Sequence, residues 1–327
     1  MPNRPGSPAR ATLAPDSDFI ESFVLGEAGI LGRIVRLGPA LGTILARHDY
    51  PVPVSALLSE ALALAAVLAG GLKYEGVFSL QTRGDGPVGL LVADVTSDGN
   101  LRAYADFDAE KFAAAEAAGG LAAAPVPRLL GGGYLAFTVD QGPDTERYQG
   151  IVDLCGANLA DCARNYFTQS EQVATSLRLV AGQGADGSWR AAALALQRMP
   201  LEEAAGAFAE DSLAEVWHTA EVLLSSATDD ELLDPDLATG DLLYRLFHEL
   251  GVRVFPEKRL RDKCRCSEDR VLALLASFSE EEKATLERDG VIDVTCQFCS
   301  TVYMFPVDEL DGRIAAWRRS AGDDGEA

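Results

Sequence analysis

Four of the six cysteines stand in two tight pairs, Cys264-Arg265-Cys266 and Cys296-Gln297-Phe298-Cys299. The thiolate is the form of cysteine that binds metals and attacks disulfides. Thiolates spaced this closely on two separate turns can converge on one tetrahedral ion, and zinc is the usual occupant. The same spacing also allows two short disulfides, one within each pair. Four sulfurs would complete zinc's coordination and leave no open position for water or substrate, so zinc catalysis is not expected. His218 and His248 fall in amphipathic helical stretches and His48 in a loop, and all three read as packing or surface residues. Cys155 and Cys162 lie outside the pairs and read as buried small apolar residues, with a further disulfide as the alternative.

The elements around the pairs make up a small unit, residues 259–318. Ser267 reads as the cap of a helix through Ser277, and Ser279 with Glu282 as the capping box of a second helix ending at Gly290. Val291–Thr295 and Thr301–Phe305 alternate as a hairpin that carries the second pair at its turn. Structural zinc contributes about 10–16 kcal/mol of apparent binding free energy, whereas a core of this size supplies only about 3–5 kcal/mol. Loss of the metal should therefore unfold this unit. An oxidant linking Cys264 to Cys266 and Cys296 to Cys299 would remove all four donors, and a bridge across one intervening residue should be strained and easily reduced.

Upstream the pattern is α+β: a mainly antiparallel sheet domain with packed helices over 18–200, and a helical linker over 201–258. Strands are predicted at Arg33–Leu37, stopping at Gly38-Pro39, then at Val77–Gln81, Val88–Val95, from Leu101, at Tyr134–Val139 and at Ala191–Leu196. A buried helix is predicted over Val54–Gly70, another over Asn158–Ser176, and a helical or loose stretch over Ala109–Ala124. Phe19–Val35 is of mixed pattern. In the linker, Leu201–Leu224 carries an apolar stripe that includes Leu213, Val216, Trp217 and Leu223. Thr228–Gly240 reads as an acidic loop and Leu242–Leu250 as a short helix. The linker is too short to build its own core, so its stripe is expected to bury on the first domain. Residues 1–17 and 319–327 read as tails, the first of them disordered.

The 327 residues carry a net charge of −22 with 48% hydrophobic residues. A folded globular protein follows. Nucleic acid and anionic membrane surfaces are not expected partners, since both need clustered Lys and Arg. The most apolar run, Ala61–Leu72, is too short to span a bilayer, and the first 15 residues lack an apolar signal core. The cytoplasm is the expected location, where paired cysteines favour a metal or redox site. Gly84-Asp85-Gly86-Pro87 lacks the Lys and following helix of a phosphate loop and reads as a turn.

Read together, these segments resemble the redox-regulated heat-shock chaperone family, heat shock protein 33, from about Asp18 to Tyr303. The resemblance rests on Cys264-Arg265-Cys266-Ser267, Cys296-Gln297-Phe298-Cys299 and Tyr303, with Gly84-Asp85-Gly86-Pro87, Leu101-Arg102-Ala103-Tyr104, Tyr148-Gln149-Gly150-Ile151-Val152, Tyr166-Phe167-Thr168-Gln169-Ser170-Glu171-Gln172 and Leu196-Gln197-Arg198-Met199-Pro200. Ala174 replaces the proline usual in the family. The resemblance implies an ATP-independent holdase rather than an enzyme. Reduced, it binds one Zn2+ per chain through Cys264, Cys266, Cys296 and Cys299 and is inactive. Oxidation forms the Cys264–Cys266 and Cys296–Cys299 disulfides, releases zinc, unfolds the small unit and linker, and exposes apolar surface to unfolded client proteins, with the active form a homodimer. Two other classes stay open: a thiol–disulfide oxidoreductase using Cys296 and Cys299, and a static zinc-ribbon interaction module.

Overall fold

The computed structural model describes residues 18–26, 29–142, 145–199 and 210–323. The chain divides into two compact units, 1–262 and 263–327. The first unit runs β1 (Phe19–Leu25), β2 (Ile30–Leu37), α1 (Pro39–Leu45), α2 (Val52–Ala69), β3 (Val77–Gly84), β4 (Val88–Thr96), β5 (Asn100–Phe107), α3 (Ala109–Ala118), β6 (Gly133–Asp140), β7 (Tyr148–Asp153), α4 (Leu159–Tyr166), β8 (Thr175–Gln183) and β9 (Trp189–Arg198). It continues through α5 (Glu210–Ser225), α6 (Asp229–Leu233), α7 (Thr239–Phe247), β10 (Val252–Val254), β11 (Lys258–Arg259) and β12 (Arg261–Asp262).

Two six-stranded sheets result. One has the order β10-β1-β2-β9-β8, with β11 also on β1; the other has the order β12-β5-β4-β3-β6-β7. All pairings are antiparallel except β12 with β5. Successive side chains of a strand face opposite ways. On β2, Val35 and Leu37 therefore enter the core around α2, while Ile30 and Ile34 enter a second core on the other face.

Helix α2 lies between the two sheets, and its alanines at 61, 63, 65, 66 and 69 let both approach closely. By length and composition it could cross a membrane, which the Ala61–Leu72 run alone did not suggest. However, 78% of it is buried inside the protein, as befits the core helix of a globular unit.

The outer face of the first sheet is covered by the linker. Ala220, Leu224, Ala227, Leu232, Leu242, Leu243, Leu246 and Phe247 pack with Phe23, Leu25, Ile30, Ile34, Val180, Ala192, Leu194 and Leu196. Of the expected stripe, Val216, Trp217 and Leu223 pack half-buried against this cluster, and Leu213 is buried. The linker thus buries its apolar face on the first domain.

Several local expectations change. The mixed Phe19–Val35 segment is two paired strands. Pro39 does not merely stop β2 but opens α1, since proline suits the first helical position; the Asp18 carboxylate accepts from the N–H groups of Gly38 and Ala40 there. Asn158–Ser176 is not one helix. α4 ends at Tyr166, a π-type turn covers Phe167–Glu171, Gln172 is left-handed at φ 54°, and β8 begins at Thr175. Tyr166 and Tyr148 both donate to the Glu171 carboxylate, pinning that turn to the edge strand β7. The acidic stretch 228–240 holds α6, with a Thr228–Glu231 capping box. Residues 258–262 belong to strands of the first unit, so the second unit begins at 263 rather than 259. The expected tails 1–17 and 324–327, and the first part of the Leu201–Leu224 helix, lie outside the described residues.

Candidate metal centre

The second unit is α8 (Glu268–Leu275), α9 (Glu280–Leu286), β13 (Glu287–Arg288), β14 (Val291–Thr295), β15 (Val302–Pro306) and α10 (Val307–Asp323). Both predicted caps are present: the Ser267 hydroxyl accepts from Arg270 N–H, and Ser279 and Glu282 form the reciprocal box. The second helix ends at Leu286, before a turn at Asp289-Gly290 with both residues at positive φ. β14 and β15 pair in register from Val291–Pro306 to Thr295–Val302. The expected tail from 319 is helical through Asp323, as the end of α10. The core of the unit is seven buried apolar side chains: Val271, Leu272, Leu275, Ile292, Phe305, Leu310 and Ile314.

Beyond Thr295 the hairpin closes in a tight knuckle. Cys296 N–H donates to Thr301 O at 2.9 Å and Ser300 N–H to Cys296 O at 2.8 Å, with Ser300 at φ 56°. This turn presents Cys296 and Cys299 together, while Cys264 and Cys266 arrive on the segment leading into the Ser267 cap. The four Sγ atoms lie within 4.8 Å of one another. Cys264 and Cys296 are 3.7 Å apart and Cys266 and Cys299 3.3 Å, and contacts within each pair join them into one cluster.

A tetrahedral ion with Zn–S bonds of about 2.3 Å sets its ligands about 3.8 Å apart, close to these separations. Four soft, half-buried sulfur donors suit zinc, so the residues present fit such an ion. No histidine joins this cluster, and His218 and His248 are exposed.

The electrostatics of the thiols tell the same story. Burial pushes the Cys266 thiol up to about 12, although the Tyr303 hydroxyl, which donates to it at 3.2 Å, works the other way. Burial also raises Cys296, partly offset by the N–H groups of Cys299 and Phe298. At Cys299 the penalty of burial is outweighed by Thr301 and the neighbouring thiols, which hold it at about 6. Crowded thiols cannot all ionise without a counter-charge, and a bound dication reverses that balance. Thr301 was not singled out from the sequence; a hydroxyl two residues beyond the pair was the only signal for it.

Cys162 is buried, as expected, and donates to the Cys155 carbonyl at 3.0 Å. Cys155 is half-buried and accepts from Asn165, a more open place than a packed small residue implies.

Two sheets about a buried helix, followed by a small unit with four converging thiols, define a class: a two-unit α+β protein with a four-thiol cluster that could hold a metal ion. The family model described as "Hsp33 protein" matches residues 18–306. A "33 kDa chaperonin" of Caulobacter vibrioides is 44% identical over 299 residues, covering 89% of this chain and 97% of that protein. A "33 kDa chaperonin" of Pseudomonas fluorescens is 38% identical, covering 91% and 94%. The chain belongs to the Hsp33 family, a family of chaperones rather than enzymes. In fold it matches the 33 kDa chaperonin of Thermotoga maritima at a TM-score of 0.75, with 22% identity over 91% of this chain and 98% of that one.

Proposed function

We propose that this chaperone is a redox-regulated, ATP-independent holdase of the cytoplasm. The observation that carries the reading is the convergence of four thiols on a unit whose own core is seven side chains. Cys264, Cys266, Cys296 and Cys299 would hold one Zn2+, which when bound supplies the cross-links that so small a core lacks. In this reduced state the linker covers the apolar face of the first sheet and the protein is inactive.

Two equivalents of hydrogen peroxide convert the four thiols to the Cys264–Cys266 and Cys296–Cys299 disulfides. Four electrons leave sulfur and four waters form, and no thiolate donor is left. The second unit then loses its fold and the linker leaves the sheet. The face formed by Phe23, Ile34, Leu194 and Leu196, with the linker stripe itself at Leu213, Val216, Trp217 and Leu223, becomes the surface offered to unfolded clients, and the active form dimerises. The position of Cys296 and Cys299 in a hairpin turn, not at a helix N-terminus, disfavours a thiol–disulfide oxidoreductase.

The test is a peroxide titration that follows released zinc with a chromogenic chelator and, in the same samples, suppression of aggregation of a heat-denatured client. Release of one zinc per chain in step with gained suppression is expected. Zinc loss without suppression would leave a static zinc module, and zinc retention throughout would refute the switch.

A further inference from the structure

We infer that Arg36 is the residue that fastens the α6–α7 segment of the linker to the first sheet, and thereby sets how readily the covered face is released. The functional half of this statement rests on the holdase reading; the structural half stands without it.

Arg36 lies on β2 two residues from Ile34, so its side chain projects from the face that the linker covers. Its Nη1 donates to the carbonyls of Asp234 at 3.0 Å and Leu237 at 2.5 Å, and its Nη2 to the carbonyl of Glu231 at 2.9 Å. One guanidinium thus gathers three backbone acceptors spread over residues 231–237. Two of them, Glu231 and Asp234, lie at the end of α6, whose last carbonyls, as in any helix, lack partners within it, and the third, Leu237, lies in the loop before α7. A cation is also the charge that a helix C-terminus favours. A helix this short has no independent stability, so its place depends on what holds it.

A second charged tie from sheet to linker is weaker in kind. Arg178 Nη2 reaches the Asp229 carboxylate at 2.8 Å, but that side chain is 65% exposed and exchanges readily with water. Arg36 is mostly buried, which lowers its pKa, while Asp234 and Glu21 act to restore it. Its fork is planar and matches several acceptors at once, a geometry a lysine ammonium does not reproduce. Its Nε is buried with no partner among the described residues, so Nη1 and Nη2 alone hold the segment, and a lifted linker would return these donors and the three carbonyls to water. The anchor is strong while closed yet free to reverse.

The experiment compares the full-length, reduced, zinc-loaded wild type with Arg36→Met and Arg36→Lys by hydrogen exchange and mass spectrometry. Amides of residues 229–247 should exchange at least tenfold faster in both variants, since losing one charge-assisted hydrogen bond already corresponds to about that factor. Strands β3, β4 and β6 of the second sheet should exchange as in the wild type. Wild-type exchange over 229–247 in both variants would overturn the anchor, and wild-type exchange in Arg36→Lys alone would overturn the three-carbonyl account in favour of simple charge. Should Arg36→Met also expose the second sheet, Arg36→Lys decides the question.

In parallel, the reduced variants should suppress aggregation of a heat-denatured client without peroxide and with zinc retained. Faster exchange without that activity, where the oxidised wild type is active, would refute the link to release. An oxidised wild type that suppresses nothing would instead sink the holdase reading, leaving the exchange result to judge Arg36.

Discussion

The two units of this chain differ in how much apolar core each builds. The first buries an 18-residue helix between two six-stranded sheets and covers one sheet again with the linker. The second has seven buried apolar side chains and four thiols within 4.8 Å of each other. Burial contributes about 25 cal/mol per Å² of apolar surface and is indifferent to oxidants. Thiolate–metal bonds are few, strong and chemically cancellable. On the holdase reading, a reagent that acts on sulfur would cancel what holds the second unit while leaving in place the apolar core of the first, the unit in which the other two thiols, Cys155 and Cys162, stand.

The most severe way to break this contrast is to remove a sulfur or the metal. Cys296→Ser, or a strong zinc chelator, should unfold residues 263–323 outright, because about 10–16 kcal/mol of apparent binding is set against about 3–5 kcal/mol of core. Limited proteolysis should then leave a resistant fragment that includes the two sheets. Undiminished protection of the second unit would show that its apolar core suffices.

The converse perturbation is Leu62→Ala on α2, at a fully buried position. It should cost about 2–5 kcal/mol and lower the first unit's melting temperature while zinc affinity stays within twofold. A parallel loss of zinc affinity would mean that the units are not energetically separate.

A smaller effect depends on pH. Burial, with a contribution from Asp229, lifts the Glu60 carboxyl from its ordinary 4.5 to about 7. Below pH 4.5 both folded and unfolded chains hold the proton. Between pH 4.5 and 7 the unfolded chain ionises while the folded one does not, so stability falls as pH rises through this window. Glu60→Gln should raise stability by about 1–3 kcal/mol at pH 8 and leave it nearly unchanged at pH 4. Equal effects at both pH values in denaturant titrations would remove ionisation as the cause. The mildest change is Thr228→Ala, which deletes the α6 capping box and should cost about 1 kcal/mol. Its effect should appear as faster amide exchange confined to the linker.

Much of this was legible residue by residue. The four cysteines, the Ser267 and Ser279 caps and the hairpin at 291–305 are local signals with short-range causes, and each stands where its pattern put it. The misreadings share one origin. Phe19–Leu25 shows no clean alternation, and besides its hairpin partner β2 it takes β10, which lies some two hundred residues further on. The Asn158–Ser176 segment keeps helical composition to its end. It breaks because Glu171 is bound by two tyrosines, one of them on β7, a contact between residues far apart in sequence.

The sequence by itself determined the chemistry: thiol type and spacing, hairpin turn, helix caps and the apolar linker stripe are encoded within a few residues of where they act. Only the tertiary structure decided that the two thiol pairs close into one cluster, that an Ala-rich apolar helix lies between two sheets, and that Arg36 gathers carbonyls some two hundred residues away. Those outcomes depend on which surfaces meet after the chain has folded back on itself, and no short window of residues contains both sides of such a contact.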